Sequence, residues 1–292
     1  MPTRTQLEKH KTNLSGSQMP AVCHCSPRPE DLYDIWAVLT GRKEPTNIEG
    51  PHLEFGTFVE KFCARRFEEK SGLAISVKAR KHRRLDLGQQ APIIVNCDLI
   101  ATSEDGLIPV EVKSTGIYGP VYGEWGEEGT DQVPDWAAIQ LTTQIMALGA
   151  PYGYVLAFIG GRGDVLYRLD NDSDLADIVV DQADDFWISH VKADVPPPMD
   201  PPPLEVLKRF HRTGGKRIYL PAETSDYLEA KALAADANNA VRDAQARLLE
   251  KMDDAELVDG GEAGTYMYKT IPRKGYTVQP STYRRFVKIK ED

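Results

Sequence analysis

The chain has 292 residues and a formal net charge of −9, and 41% of its residues are apolar. This length suits one large domain, or one domain with a sizeable extension. No apolar run approaches the roughly 18 residues that a membrane span needs, which excludes a transmembrane helix. The acidic balance argues mildly against general nucleic-acid binding.

The N-terminal residues 1–26 are polar and aperiodic, and we expect them to form a flexible tail. They lack the apolar core of a secretory signal, and the chain has only four cysteines, so a cytoplasmic location is expected, in the host if the chain is phage-encoded. Two cysteines stand in the sequence Cys23-His24-Cys25. Ligands this close seldom serve one zinc ion, and no second pair follows at finger spacing, so we interpret them as part of the tail.

Apolar spacing predicts helices over 31–40 and 53–71, each ended by a glycine. The segments 92–102 and 106–115 are typical of a β-hairpin, because the intervening Asp105-Gly106 suits a tight turn. A helix from Pro134 to about Leu148 comes next. Further along, we expect a β-pair over 152–161 and 164–170 and an acidic helix over 173–193.

The proline-rich segment 196–203 is predicted to be a linker between a core over 27–195 and an extension over 204–292. The extension should hold a long helix over about 223–252 and small β-segments at 265–270 and 283–290; its role stays open. The element order predicts an α/β fold, with a central mixed β-sheet flanked by helices and a helical and small-β C-terminal extension.

A charged triplet stands out in the predicted hairpin. With a two-residue Asp105-Gly106 loop, Asp98 lies opposite Lys113, and Asp98, Glu111 and Lys113 project from one face. Asp98 and Glu111 are then diagonal neighbours, about 7–8 Å apart at Cα, a gap that one cation can close. A loop of four residues would preserve these faces, whereas a loop of three would separate them.

Two carboxylates beside a lysine suit metal-assisted hydrolysis. Hard oxygen ligands favour Mg²⁺ or Mn²⁺, and a water bound to such an ion is a better nucleophile at neutral pH. The nearby Lys113 could orient that water or offset charge on a phosphate. The alternative is that Glu111 and Lys113 form a surface salt bridge to which Asp98 is unrelated.

These residues carry a family resemblance. Asn96-Cys97-Asp98 followed by Glu111-Val112-Lys113 resembles the divided motif of the PD-(D/E)XK nuclease superfamily, and the context is similar to the YqaJ-type viral recombinases, the phage alkaline exonucleases related to lambda exonuclease. The segment from Gly56 to Glu60 resembles the helix that precedes the sheet in that family. Val133-Pro134-Asp135-Trp136, with Gln140 and Gln144 after it, resembles the helix that follows the sheet. The resemblance spans roughly residues 30–195.

The resemblance implies a restriction-endonuclease-like core and a role for individual residues. Asp98 and Glu111 match metal ligands, with the Val112 backbone carbonyl as a third and Glu60 near the metal. Lys113 matches the catalytic lysine, and Gln140 matches the glutamine that supports the site. The arginine that recognises a 5′-phosphate is not settled, and the candidates for it are Arg42, Arg65 and Arg66.

The resemblance further implies a Mg²⁺-dependent, processive 5′→3′ exonuclease that digests double-stranded DNA ends in homologous recombination. A trimeric ring and a single-strand annealing protein as partner are implied in the same way. Two other functions stay open: an endonuclease that cuts internally, and a DNA-binding module that has the fold without the chemistry.

Basic side chains cluster before the hairpin, although the chain as a whole is acidic. Such a tract either contacts a phosphate backbone or is a solvated face. The candidates for DNA binding are Arg65, Arg66, Lys78, Arg80, Lys81, Arg83 and Arg84.

Overall fold

A computed structural model describes residues 9–45, 62–79, 82–115 and 124–271. The chain divides into two compact units, Met1–His211 and Arg212–Asp292. The helices are α1 (Met19–Val22), α2 (Glu30–Leu39), α3 (described over 62–71), α4 (Asp135–Leu148), α5 (Ser173–Phe186), α6 (Leu204–Leu207) and α7 (Pro221–Met252). The strands are β1 (Leu14–Ser15), β2 (Ala74–Ile75), β3 (His82–Arg84), β4 (Ile93–Asn96), β5 (Leu99–Ser103), β6 (Gly106–Thr115), β7 (Tyr152–Ile159), β8 (Gly163–Asp170), β9 (Leu257–Asp259) and β10 (Thr265–Met267).

The centre of the first unit is a five-stranded sheet with the order β2-β5-β6-β7-β8. Strands β6 and β7 run parallel, and the other neighbours are antiparallel, so the sheet is mixed. The parallel pair is possible because α4, between β6 and β7, returns the chain to the end of the sheet where β6 begins. Strand β6 is therefore central, with paired neighbours on both sides.

Helices cover both faces of this sheet. On one face, Leu141 of α4 belongs to a buried apolar cluster with Val155 and Tyr167. On the other face, Phe67 of α3 packs in a second cluster with Val110. The predicted α/β architecture, a central mixed sheet flanked by helices, is confirmed.

Helix α4 is buried along most of its length, because it also contacts a second sheet. It ends at Gly149, whose φ of +63° lies in the left-handed region that glycine favours. Its approach to the five-stranded sheet is close at Gly153 of β7, where an added Cβ would lie 2.8 Å from Leu141 and 3.0 Å from Ile145. A side chain at this position would push α4 away from the sheet.

The expectation of a flexible tail over 1–26 is wrong for residues 9–26. Strand β1 pairs in parallel with β4 in a second sheet of order β1-β4-β3. Leu14 and Met19 are fully buried in an apolar cluster with Trp36. Burial of these few apolar side chains outweighs the polar composition of the segment.

The predicted hairpin is real, but its first strand is shorter than expected. Residues 92–102 do not form one strand: β4 belongs to the second sheet and β5 to the first, and the chain changes sheets at Cys97–Asp98. Strand β5 pairs with β6 from Leu99↔Val110 to Ser103↔Gly106. The turn is therefore Glu104–Asp105, one residue earlier than predicted.

The other elements lie close to their predicted positions, with small differences in length. Helix α5 ends at Phe186, and the rest of the predicted acidic helix is a π-helical segment over Trp187–Lys192. Of the predicted helix 53–71, residues 62–71 are helical and 53–61 lie outside the described residues. None of the helices in the described ranges has the length and apolarity to cross a bilayer.

The structure places the unit boundary after His211, not at the proline-rich segment 196–203. The reason is that α6 still belongs to the first unit. Val206 is buried in the same cluster as Trp36, and the ring of Phe210 lies 6.4 Å from that tryptophan ring. The extension therefore begins later than predicted.

The second unit contains α7 and the antiparallel pair β9–β10. Nearly all side chains of α7 are exposed, and Met252 at its end is buried. The predicted β-segment at 265–270 corresponds to β10, which pairs with β9. The segment 283–290 lies outside the described residues.

Candidate active site

The Glu111 carboxylate is at the centre of the candidate site. It lies on β6, only 2% exposed, with its side chain directed toward α4. Gln140 Nε2 donates to Glu111 Oε1 at 2.7 Å, and Gln144 Nε2 donates to Glu111 Oε2. These amides solvate a carboxylate that burial would otherwise destabilise.

Lys113 lies two residues further on the same face of β6. Its Nζ is 2.7 Å from Glu111 Oε1 and donates to Gln140 Oε1 at 2.6 Å. It also lies 5.1 Å from the centroid of the Trp136 ring. The Lys113 side chain is held by these contacts and is 16% exposed, so it is not sealed off from solvent.

Asp98 reaches the same place from the point where the chain changes sheets. Its Oδ2 accepts a hydrogen bond from the Val112 N–H at 2.9 Å. The register of β5 with β6, extended by one position, places Asp98 level with Glu111. Asp98 is therefore a direct neighbour of Glu111 rather than the diagonal neighbour that the sequence predicted.

The salt bridge proposed as the alternative interpretation does exist, but it is not a surface pair. Glu111 is buried, two amides hold it, and Asp98 is connected to the same strand through Val112. A simple surface ion pair would need none of these contacts. The structure thus brings together Asp98, Glu111, Val112, Lys113 and Gln140.

The donor set fits a hard divalent cation. Asp98 and Glu111 supply carboxylate oxygens from neighbouring positions, as Mg²⁺ requires. Gln144 Oε1 is buried and has no hydrogen-bond partner within the described ranges. The site therefore contains one acceptor oxygen that its own contacts leave unsatisfied. A cluster of three acidic, histidine or cysteine ligands does not occur in that part of the chain, and Glu60 lies outside it.

Two contacts were not predicted from the sequence. From the sequence, Gln144 is expected only to share a helix face with Gln140, and Trp136 is only part of a motif. Trp136, Gln140 and Gln144 are spaced four residues apart, which places all three on one stripe of α4. That spacing, in a helix buried on several sides, is the signal that could have found them.

The arginines proposed for DNA binding on α3 are engaged in ion pairs. Arg66 Nε donates to Asp164 Oδ2 at 3.1 Å, and its guanidinium also contacts Glu69. The hydrogen bonds to Asp164 and Glu69 raise the pKa of Arg66. Arg65 lies 3.6 Å from Glu69. Both guanidinium groups therefore lie beside acidic side chains.

The remaining basic candidates occupy different places. Arg42 stacks on Trp36 at 4.2 Å and pairs with Asp194 at 2.6 Å, so its guanidinium is engaged elsewhere. Lys78 is exposed after β2. Arg83 and Arg84 lie on β3 and line a cavity in the second sheet. Arg80 and Lys81 lie outside the described residues.

Together these features define an α/β domain with a buried carboxylate, a lysine and two amides on its central strand. Residues 6–150 match the model of the YqaJ-like viral recombinase domain. This match confirms the resemblance to the YqaJ-type viral recombinases over that part of the chain. The chain is also 25% identical over 244 residues to the uncharacterized protein YqaJ of Bacillus subtilis (strain 168), a match that covers 80% of this chain and 72% of that protein.

Two solved structures are similar in overall fold. An alkaline exonuclease, LHK-Exo from Laribacter hongkongensis, is 13% identical with a TM-score of 0.48, covering 66% of this chain and 94% of that one. A phage-related exonuclease from Haemophilus somnus 129PT is 12% identical with a TM-score of 0.41, covering 62% and 96%. At these scores, neither likeness assigns a role to any residue of this chain.

Proposed function

We propose that this chain is a metal-dependent deoxyribonuclease that hydrolyses DNA phosphodiesters. One observation carries the proposal: Lys113 is held by Glu111 and Gln140 beside Asp98, and its side chain is still partly exposed. A purely structural ion pair does not need two buried amides and a second carboxylate. The match to a viral recombinase domain supports a substrate of nucleic acid.

Each side chain has a defined task in this proposal. Asp98 and Glu111 would hold Mg²⁺, or Mn²⁺ in its place, with the Val112 carbonyl and Glu60 as further ligands. When bound, such an ion would lower the pKa of a coordinated water and offset charge on the phosphate. Gln140 and Gln144 fix the orientation of the Glu111 carboxylate, and the Val112 N–H fixes Asp98. Lys113 presents a positive charge to the attacking water and the phosphate.

The finer features of the proposal extend the family resemblance. They are 5′→3′ exonuclease activity on double-stranded ends, assembly into a trimer, and recombination together with a single-strand annealing protein. We place this activity in the cytoplasm. Internal cleavage and non-catalytic DNA binding are the competing functions, and both make different predictions in the same assay.

The test compares 5′-phosphorylated linear duplex DNA with covalently closed circular DNA, in Mg²⁺ and in EDTA. The wild-type chain should degrade only the linear DNA, and only with Mg²⁺. Lys113→Ala should reduce the rate by at least about a hundredfold, as expected when an electrostatic group at the reacting phosphate is removed. Cutting of the circle would favour an endonuclease, and binding without cleavage would favour the binding module.

Lys192→Ala is the matched control, because Lys192 is an exposed lysine that also contacts a glutamine, Gln90, at 3.2 Å. It should cleave at the wild-type rate.

Asp98→Asn is a second test in case Lys113→Ala leaves Glu111 unpaired and does not fold. The asparagine still accepts from the Val112 N–H but loses its charge, so it should fold and be inactive. Full activity of Asp98→Asn would overturn the proposal.

A further inference from the structure

A cavity of about 360 Å³ lies in the second sheet, apart from the Glu111 site. It brings the N-terminal segment next to strand β3, although the two are more than 70 residues apart in the chain. Its lining is formed by Lys9, Asn13, His82, Arg83, Arg84 and Ile94. None of these lining residues is acidic.

The cations in this cavity are not neutralised within the described part of the chain. Among the described residues, Lys9 Nζ contacts His82 Nε2 at 2.8 Å, and the Arg83 guanidinium donates to the backbone carbonyl of His82; neither cation meets an acid there. Arg84 forms no ion pair among the described residues and is exposed. Elsewhere in the same unit the arginines pair with acids, as Arg66 does with Asp164. Within the described residues these three cations have no acidic partner, so the cavity concentrates positive charge in a chain of net charge −9.

The site is also built to hold its shape. Asn13 Nδ2 donates to the Lys9 carbonyl at 3.0 Å, which closes the turn that carries Lys9. The next residue, Leu14, is fully buried and pairs with Ile93. Across β4, Arg84 pairs with Ile94, so both walls of the cavity are anchored to one strand. The backbone positions that carry Lys9 and Arg84 are therefore anchored.

The cavity lies beside the strand that leads to Asp98. His82 pairs with Asn96, and Arg84 with Ile94, which are two and four residues before Asp98. At about 3.3 Å per residue, Asn96 and Ile94 lie at most about 7 Å and about 13 Å back along the chain from Asp98, and their partners His82 and Arg84 lie one strand spacing, about 5 Å, to the side. Successive base pairs rise by about 3.4 Å, so this distance corresponds to roughly two to four base pairs.

We propose that this cavity binds a phosphate of the DNA backbone, two to four base pairs from the phosphate at the Glu111 site. This proposal rests on the proposed nuclease function and adds a substrate contact to it. A backbone contact of this kind fixes how the duplex lies on the protein and carries no sequence information. It also explains how an acidic chain binds a polyanion: the positive charge is local and close to the catalytic residues.

The test measures binding of duplex DNA by the full chain in EDTA, so that no cleavage occurs, over a range of salt concentrations. Arg84→Gln and Lys9→Gln should each weaken binding about three- to tenfold. Each should also lower the slope of log Kd against log salt by about one, because one phosphate contact is lost. The two variants change different elements, so misfolding of one leaves the other as a test.

The matched control is Arg168→Gln, which removes an arginine of the same unit that pairs with Asp170 at 3.1 Å. Its affinity and salt slope should equal those of the wild type. If Arg84→Gln and Lys9→Gln also match the wild type while the wild type cleaves DNA, the cavity proposal is overturned and the nuclease proposal stands. If the wild type neither binds nor cleaves DNA, the nuclease proposal fails, and the cavity proposal that rests on it fails with it.

Discussion

The Gln144 amide donates to Glu111 Oε2, the carboxylate oxygen that neither Gln140 nor Lys113 contacts. Both oxygens of a nearly inaccessible carboxylate are thus engaged, one by a lysine and an amide, the other by a second amide one helical turn further on. Because α4 supplies both amides, the orientation of Glu111 depends on where this helix lies on the sheet.

Gln144→Leu should therefore destabilise the protein. The substitution leaves Glu111 Oε2 buried without a donor, which costs about 1–3 kcal/mol in the free energy of unfolding. Urea titration followed by circular dichroism would measure this loss. Gln90→Leu is the control, since its side chain is exposed and contacts only Lys192. Equal stability of the two variants would show that the Gln144 contact contributes nothing.

Gly153→Ala should affect both stability and the site. Its Cβ would lie 2.8 Å from Leu141 and 3.0 Å from Ile145. These residues directly follow Gln140 and Gln144 on α4. Such overpacking costs about 1–3 kcal/mol and forces the side chains of Leu141 and Ile145 to shift on the helix that carries both amides. We expect a lower melting temperature together with slower DNA cleavage.

Gly16→Ala is the buried control for that substitution. An added Cβ at Gly16 would meet Val95 at 3.6 Å, an ordinary van der Waals distance, and its φ is not positive. It should change stability by less than about 1 kcal/mol. A Gly153→Ala variant as stable as Gly16→Ala would contradict the close approach of α4 to β7.

Leu14→Ala tests whether the N-terminal segment belongs to the core. Leu14 is fully buried, so its truncation should cost about 2–5 kcal/mol in the free energy of unfolding. Leu87→Ala removes a leucine that is 57% exposed in the same unit and should cost far less. A flexible tail would give no loss for either variant, and denaturant unfolding separates the two cases.

Cys23 should react slowly with alkylating reagents. Burial, together with the nearby Cys25, raises the pKa of the Cys23 thiol to about 12. A raised pKa keeps the thiol protonated, so at pH 8 its thiolate fraction is about a thousandfold below that of an ordinary cysteine. Mass spectrometry after iodoacetamide treatment should find Cys23 modified much faster in urea than in the native chain. Equal rates would mean that the segment is not packed.

The face of β6 on which each side chain lies could be predicted from the sequence, although the register of β6 with β5 could not. The observed pairing differs from the predicted pairing by two residues, and side chains alternate with a period of two. Glu111 and Lys113 therefore stay on one face, with Val110 on the other. Turn chemistry alone did not separate Glu104–Asp105 from Asp105–Gly106.

Contacts between distant residues could not be predicted in the same way. Strand β1 has only two residues and shows no periodicity, so nothing in its composition indicates pairing with β4. The run from Ile93 to Ala101 is broken only by Asn96 and Asp98, and this pattern does not reveal a change of sheet. The pairing of Arg66 with Asp164, 98 residues away, depends on tertiary structure, which a basic tract does not encode.

Because the chain changes sheets at Cys97–Asp98, the distance between Asp98 and Glu111 depends on how the two sheets are packed. Glu111 moves with the five-stranded sheet, whereas Asp98 is joined on one side to β4 of the second sheet. A small rotation of one sheet against the other would open or close the gap between the carboxylates. Substitutions in the apolar cluster around Leu14 and Trp36 would therefore change the gap between Asp98 and Glu111 without contacting either residue.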